Sequence, residues 1–244
     1  PTVLFEPNHL LILQGAPDSR RNYIDEVLEQ TTPGFTSFRK NYRRVLAQRN
    51  ALLKRPGAEQ SDFFPWDLRL SELGAVIHRY RCELISAYNK EIGGIYQELS
   101  GRKTRVKLDY ISRYEAANYE TQLLQALELG RTKDIARGYT GYGPHREDWI
   151  VMFDDKSAQT MASRGEIRTT TLALKILELQ RLHLATNQQP ILLLDDVFSE
   201  LDGSRRRALT AYLQRYQTFL TTTDADIVVK HFTSSTIIPL SSPH

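Results

Sequence analysis

An α/β fold with a mainly helical insertion is what the amino-acid sequence predicts, and three observations carry that expectation. The run Pro190-Ile191-Leu192-Leu193-Leu194 is continuously apolar and ends in Asp195-Asp196, the pattern of a strand covered on both faces in a parallel sheet. Apolar residues recur at gaps of three and four from Leu70 to Leu99, as in a long helix packed along its length. Strand-like pieces lie near both ends of the chain, with helical patterns between them. These place core pieces at 1–19 and 138–244 and a mainly helical lobe at 20–137. The 244 residues are 41% hydrophobic and 25% charged, enough apolar material for real cores in an ordinary globular chain.

Taken in order, Val3-Leu4-Phe5 reads as a strand and Leu10-Leu11-Ile12-Leu13 as a short second element after the turn Glu6-Pro7-Asn8-His9. Gly15-Ala16-Pro17 breaks the chain, and Asp18 or Ser19 is placed to cap a helix from Arg20 to Gln30. A basic amphipathic helix runs from Phe38 to Lys54 and stops at Arg55-Pro56-Gly57. One long helix is expected from Asp67 to Leu99. Arg105–Tyr110 alternates like a half-buried strand. A helix from Tyr114 to Leu129 is ended by Gly130, and Gly138–Asp148 is a loop. Trp149–Phe153 is a strand, Asp154–Ser157 a turn. A helix through Leu172–Leu184 precedes the Asp195-Asp196 strand, a helix over Arg205–Tyr216 follows it, and Thr218–Asp224 closes a further strand.

The net charge of +3 permits a polyanionic partner without demanding one. The single Cys82 excludes an intrachain disulfide framework and fits a reducing compartment. No apolar run approaches the length of about 20 residues needed to cross a membrane, so no membrane partner and a cytoplasmic location are expected. Neither His-x-x-x-His nor Cys-x-x-Cys spacing occurs, which argues against a metallohydrolase. His78 and Cys82 fall on or beside the long helix and are read as packed or solvated.

In parallel sheets ligands gather at the carboxyl ends of the strands, where Asp195 and Asp196 fall. Ser199-Glu200-Leu201-Asp202 follows at once. Upstream, Ser163-Arg164-Gly165-Glu166 precedes a strong helical pattern; such a turn aims backbone N–H groups and the positive end of a helix dipole at an anion. An ordinary helix cap accounts for Ser163 equally well. Together, the Asp-Asp strand, the Ser-x-Leu-Asp turn and the Ser-x-Gly turn resemble the Walker B strand, D-loop and signature loop of ABC-type ATPases, here as a partial P-loop ATPase head. Glu166 stands where that pattern has Gln, a charge unfavourable beside a phosphate unless Arg164 or Arg168 compensates.

Five local motifs narrow the resemblance. They are Leu4–Leu10 with Gly15–Arg21, Gln48-Arg49-Asn50-Ala51-Leu52-Leu53-Lys54, Gly143-Pro144-His145-Arg146-Glu147-Asp148, Ser163-x-Gly165, and Asp195–Asp202. In this order they are similar to the RecF family of bacterial recombination mediators, over nearly the whole chain, with Glu147 in place of the family's Asp. The resemblance implies ATP and Mg²⁺ as cofactors, ATP-dependent homodimerisation, and binding of single- and double-stranded DNA and gap junctions. It also implies partnership with RecR and RecO-like mediators in loading recombinase at single-strand gaps during DNA repair, replication and the SOS response. It further implies that Asp195 orients Mg²⁺ through water and that Asp196 positions or deprotonates the attacking water. Ser163, Gly165, Ser199 and Asp202 would complete the site of the opposite subunit, and Thr222 and Thr223 would stand where ABC proteins often carry a switch His. His145 and Arg146 could touch nucleotide or DNA, or pin lobe to core, with the structural role preferred. The DNA-binding candidates are Arg39, Lys40, Arg43, Arg44, Arg49, Lys54, Arg102, Lys103, Arg105 and Lys107, basic residues of the kind that neutralise phosphates without reading sequence.

There is no Gly-Lys dipeptide, hence no Gly-x-x-x-x-Gly-Lys-Ser/Thr phosphate loop. With no initial Met, the chain is expected to be part of a longer one that carries this loop upstream. A slow ATPase is expected of the whole protein and negligible turnover of this stretch alone. The alternatives are another SMC-like ATPase head, or a non-hydrolysing interaction module on a degenerate ATPase scaffold.

Overall fold

The computed structural model describes residues 1–6, 9, 12–198, 201–222, 236 and 238. Along the chain these form β1 (Thr2–Phe5), α1 (Pro17–Thr31), α2 (Phe35–Leu53), α3 (Gln60–Asn89), α4 (Ile92–Ser100), β2 (Val106–Ile111), α5 (Tyr119–Arg137), β3 (Asp148–Phe153), β4 (Lys156–Ser157), α6 (Ala158–Met161), α7 (Arg164–Thr186), β5 (Ile191–Asp195), α8 (Gly203–Leu213) and β6 (Thr218–Thr221).

Two three-stranded sheets organise them. One is parallel, ordered β1-β5-β6, with Phe5 opposite Leu194 and Asp195 opposite Thr221. The other is antiparallel, ordered β2-β3-β4. The second sheet ties β3, from the stretch assigned to the core, to β2 of the lobe. Within β5, Leu192 and Leu194 are buried whereas Ile191 and Leu193 are half-buried, so its two faces are covered unequally. Helix α7 is buried almost continuously from Ile167 to Leu179, because it lies between the parallel sheet and helices α1 and α4. Helix α8 packs on α4. One hydrophobic cluster runs from Val3 and Leu194 in the sheet to Leu84 and Leu123 in the lobe.

The structure corrects several local expectations. Helix α1 begins at Pro17 rather than after Asp18 or Ser19, and has no side-chain cap; proline is pre-set for a first helical position. The long helix starts earlier, at Gln60, behind a Glu59/Asp62 capping box, and breaks after Asn89. The Asn89 side chain donates to the Leu108 carbonyl (2.8 Å) and accepts from its N–H (2.7 Å), anchoring the helix end to β2. The chain then restarts as α4, which turns onto α7 and α8.

Helix α5 starts at Tyr119 and does not end at Gly130. It runs on to Arg137 and is closed by Gly138 at φ 73°, the left-handed stop that glycine favours. Gly130 is internal, and a Cβ there would collide with the Tyr142 ring; the glycine lets the loop 138–147 lie against the helix.

That loop is held by buried charge. Arg49, 0% exposed, donates to Asp67 (2.5 Å), Asp134 (2.7 Å), Thr140 Oγ1 (2.9 Å) and the Leu127 carbonyl (3.2 Å). Neighbouring Asn50 accepts from the Thr140 N–H (2.8 Å) and hydroxyl (2.7 Å). Arg81 forks onto Asp25 and donates to the Pro144 carbonyl at 2.7 Å.

Candidate functional site

Strand β5 delivers Asp195 to the carboxyl end of the parallel sheet, where it is exposed. Register places Thr221 of β6 beside it, and the Thr221 hydroxyl donates to Asp195 Oδ1 at 2.5 Å. The Asp196 N–H donates to the carbonyl (3.1 Å) and hydroxyl (3.2 Å) of the same threonine, and Asp196 takes φ 47°. Thr221, one residue before the threonines singled out in the sequence, makes these contacts with the carboxylate pair; the strand register was the signal that could have found it. Thr222 is half-buried at the end of β6. Ser199 and Thr223 lie outside the described residues. Beyond the pair, Val197 and Phe198 are buried, and Arg206 Nε holds the Phe198 carbonyl at 2.8 Å.

A second group forms where α7 and α8 begin. Ser163 is the N-cap of α7: its hydroxyl accepts from the Glu166 N–H at 3.3 Å. Glu166 Oε2 in turn accepts from the Ser163 N–H and hydroxyl, each at 2.8 Å. This is a reciprocal capping box, in which Glu166 closes its own helix start. The Ser163 hydrogen bonds hold the Glu166 carboxyl below the usual range. Asp202 caps α8 by accepting from the Arg205 N–H at 2.9 Å, which holds its carboxyl below the usual range as well. Arg205 pairs with Asp202, donates to Thr169 Oγ1 of α7 at 2.7 Å, and lies against Gly165. Gly165 and Asp202 are thus brought together beside Ser163 within one chain, through Arg205.

The His-Arg pair divides. His145 accepts from the Tyr42 hydroxyl through Nδ1 (2.6 Å) and donates from Nε2 to the Thr140 carbonyl (3.1 Å), the tautomer being the one that satisfies both partners. Burial pushes its pKa down to about 4, so the ring is neutral near pH 7 and joins α2 to the loop. Arg146 is exposed and stacks on Tyr139, 4.6 Å from the ring centre. Next to it, buried Glu147 accepts from the hydroxyls of Tyr110 (2.6 Å), Ser112 (2.8 Å) and Tyr119 (2.8 Å), with His78 Nδ1 at 3.3 Å. Burial raises its pKa, but hydrogen bonds from His78, Tyr110 and Ser112 outweigh that and hold it below the usual carboxylate range.

The basic candidates also separate. Arg49 is sealed in the lobe, and Arg39, 7% exposed, is paired with Asp25 and Glu29; neither faces solvent as a phosphate contact would require. Lys40, Arg43, Arg44 and Lys54 are exposed on or just after α2, with no ion pair among the described residues. Arg105 pairs with Asp155, Lys107 with Asp109, and Arg102 lies 3.7 Å from Glu166. Lys103 is exposed.

Among the described residues no group of three or more His, Cys, Asp and Glu side chains is gathered to hold a metal. Exposed Asp195 with its threonine offers hard oxygen ligands of the kind Mg²⁺ takes, one or two carboxylates supplemented by water and phosphate rather than a protein cage. No helix among the described residues is long and apolar enough to cross a membrane.

A parallel sheet that presents Asp195 and Asp196 at its carboxyl end, with capped helix starts and a run of helices inserted between β1 and β5, has the architecture of an ABC-type ATPase head. No protein-family model matches the chain. Curated proteins do: the chain is 34% identical over 233 residues to the DNA replication and repair protein RecF of Ruminiclostridium cellulolyticum, covering 92% of this chain and 63% of that protein. It is 37% identical over 229 residues to RecF of Streptococcus thermophilus, covering 92% and 62%. A solved structure described as the recombination mediator protein RecF with ATP, in the RecFOR pathway, superposes with TM-score 0.83 at 28% identity, covering 93% of this chain and 63% of that one. The resemblance read from the motifs is thus shown: the chain is RecF-like along nine-tenths of its length. It spans a little over three-fifths of the length of these relatives.

Proposed function

We propose that this chain is the lobe and carboxylate-bearing portion of an ATP-switched recombination mediator. That protein would bind ATP with Mg²⁺, dimerise on doing so, hold DNA, and act with RecR and RecO-like partners to load recombinase at single-strand gaps. The observation that carries this reading is the superposition on an ATP-bound RecF, with Asp195-Asp196 at the sheet's carboxyl end.

In this reading Asp195, oriented by Thr221, holds Mg²⁺ through water, the ion supplying charge neutralisation for the phosphates. Asp196 positions or accepts a proton from the attacking water. Ser163, Gly165, Ser199 and Asp202 complete the nucleotide site of a second copy, with Thr222 and Thr223 at the adjoining strand end. The exposed face carrying Lys40, Arg43, Arg44 and Lys54 takes DNA phosphates, supplemented by Arg146 and by Arg102, Lys103, Arg105 and Lys107 before and within β2. Arg39 and Arg49 have no part in it. A second reading, a non-hydrolysing scaffold, draws on Ser163 and Asp202 both being engaged in capping their own helices.

Light-scattering mass of the full-length protein, with and without ATP and Mg²⁺, tests this. A mass that doubles with ATP and fails to double in Ser163→Arg, at unchanged thermal midpoint, is the expected outcome. A mass indifferent to ATP, with nucleotide binding verified separately, would favour the scaffold.

A further inference from the structure

Two donors at the start of α7, both from Ser163, are already engaged. Ser163 has one hydroxyl proton and one backbone N–H, and both go to Glu166 Oε2 at 2.8 Å. The carboxylate that receives them is ionised at neutral pH, since those bonds hold its pKa below the ordinary value. A phosphate approaching this turn meets a negative charge sitting on the donors it needs.

We propose that Glu166 competes in cis with nucleotide phosphate for Ser163, and so raises the ATP concentration at which two copies close. This regulation rests on the reading above that Ser163 and Gly165 complete a composite nucleotide site. One hydroxyl proton cannot serve a carboxylate and a phosphate together, so engagement requires the Glu166 carboxylate to turn away. Arg102 Nη1, 3.7 Å from the other carboxylate oxygen, offers a place for it to turn to. A glutamine here would still cap through its carbonyl oxygen, but as a neutral and weaker acceptor it gives up the Ser163 hydroxyl more readily, and it sets no negative charge against the phosphate. Glu166 is therefore a positioning residue that sets a threshold, acting through Ser163 without touching the reacting atoms.

The test compares full-length wild type with Glu166→Gln, titrating ATP with Mg²⁺ while mass is read by light scattering in low and in high salt. The expected result is a roughly three- to tenfold lower ATP midpoint for the variant in low salt, a Coulomb effect of one partly screened charge. The gap should narrow in high salt, where the Debye length shrinks. Doubling of both proteins at the same ATP midpoint overturns the proposal while leaving the composite site standing. A shift of equal size at both salts overturns it too, because the effect of a charge at this exposed turn must weaken as salt screens it. Failure of both proteins to double, with nucleotide bound, overturns the composite site and the proposal together.

Discussion

The joint between lobe and loop and the rim formed by β5, α7 and α8 are built from the same residue types put to opposite use. In the joint, Arg49, Asp67 and Asp134 are 0% exposed, with Arg49 donating to both carboxylates, and Glu147 is ringed by three hydroxyls. On the rim, Asp195 is exposed and bonded to Thr221 of the neighbouring strand, and Asp202 is half exposed and paired with Arg205 three residues on. Charge without solvent must be fully partnered, because a lone buried ion costs several kcal/mol. Charge at the rim keeps lone pairs open to whatever arrives. Burial and partner number, more than residue identity, separate architecture from candidate chemistry in this chain.

The comparison can be broken most directly at Arg49. Arg49→Met leaves Asp67 and Asp134 buried, with Arg131 still 3.1 Å from Asp67, and should cost about 3–5 kcal/mol in urea unfolding. A loss below about 1 kcal/mol would mean the joint is wetter than its geometry implies. A smaller effect is expected at Glu147. Glu147→Gln removes a charged acceptor from three hydroxyls and should cost about 1–3 kcal/mol at pH 7. Its folded pKa lies below the ordinary 4.5, so its contribution is present above that pH and lost as pH falls through the lowered value. The variant's stability should accordingly fall less steeply in acid than wild type's, and parallel acid limbs would show that Glu147 does not titrate this way. The smallest effect on stability belongs to the rim. Asp195→Asn should shift unfolding by no more than about 0.5 kcal/mol, while phosphate release by the full-length protein drops at least roughly tenfold. A stability loss above about 1.5 kcal/mol would move Asp195 into the class of the joint.

The parts legible in the sequence were those set by neighbours along the chain. The apolar run before Asp195 and the periodic faces of α2, α3 and α7 identified their elements directly. The break at Asn89 was hidden because apolar spacing continues in phase through Ile92, Ile95 and Leu99; what ends the helix is Leu108, nineteen residues away. Gly130 was misread as a stop because its reason is the Tyr142 ring. Arg39 and Arg49 read as surface charge because nothing local announces Asp25, Asp67 or Asp134 as partners. The cap at Ser163 is legible as a helix start, and the spacing to Glu166 marks the reciprocal box. At the carboxylate pair, the residues were legible while their contact with Thr221 needed the pairing of β5 with β6.

Asp196 adds a constraint of a different kind. At φ 47° it occupies a conformation that Asn and Asp populate several-fold more readily than other side chains with a Cβ, because a short polar group can bond locally there. A Glu at this position would bring the same charge on a longer arm without that local compensation. The turn after β5 thus filters which acid can stand at the end of the strand, and the reach of this carboxylate is decided by backbone shape before any substrate is considered.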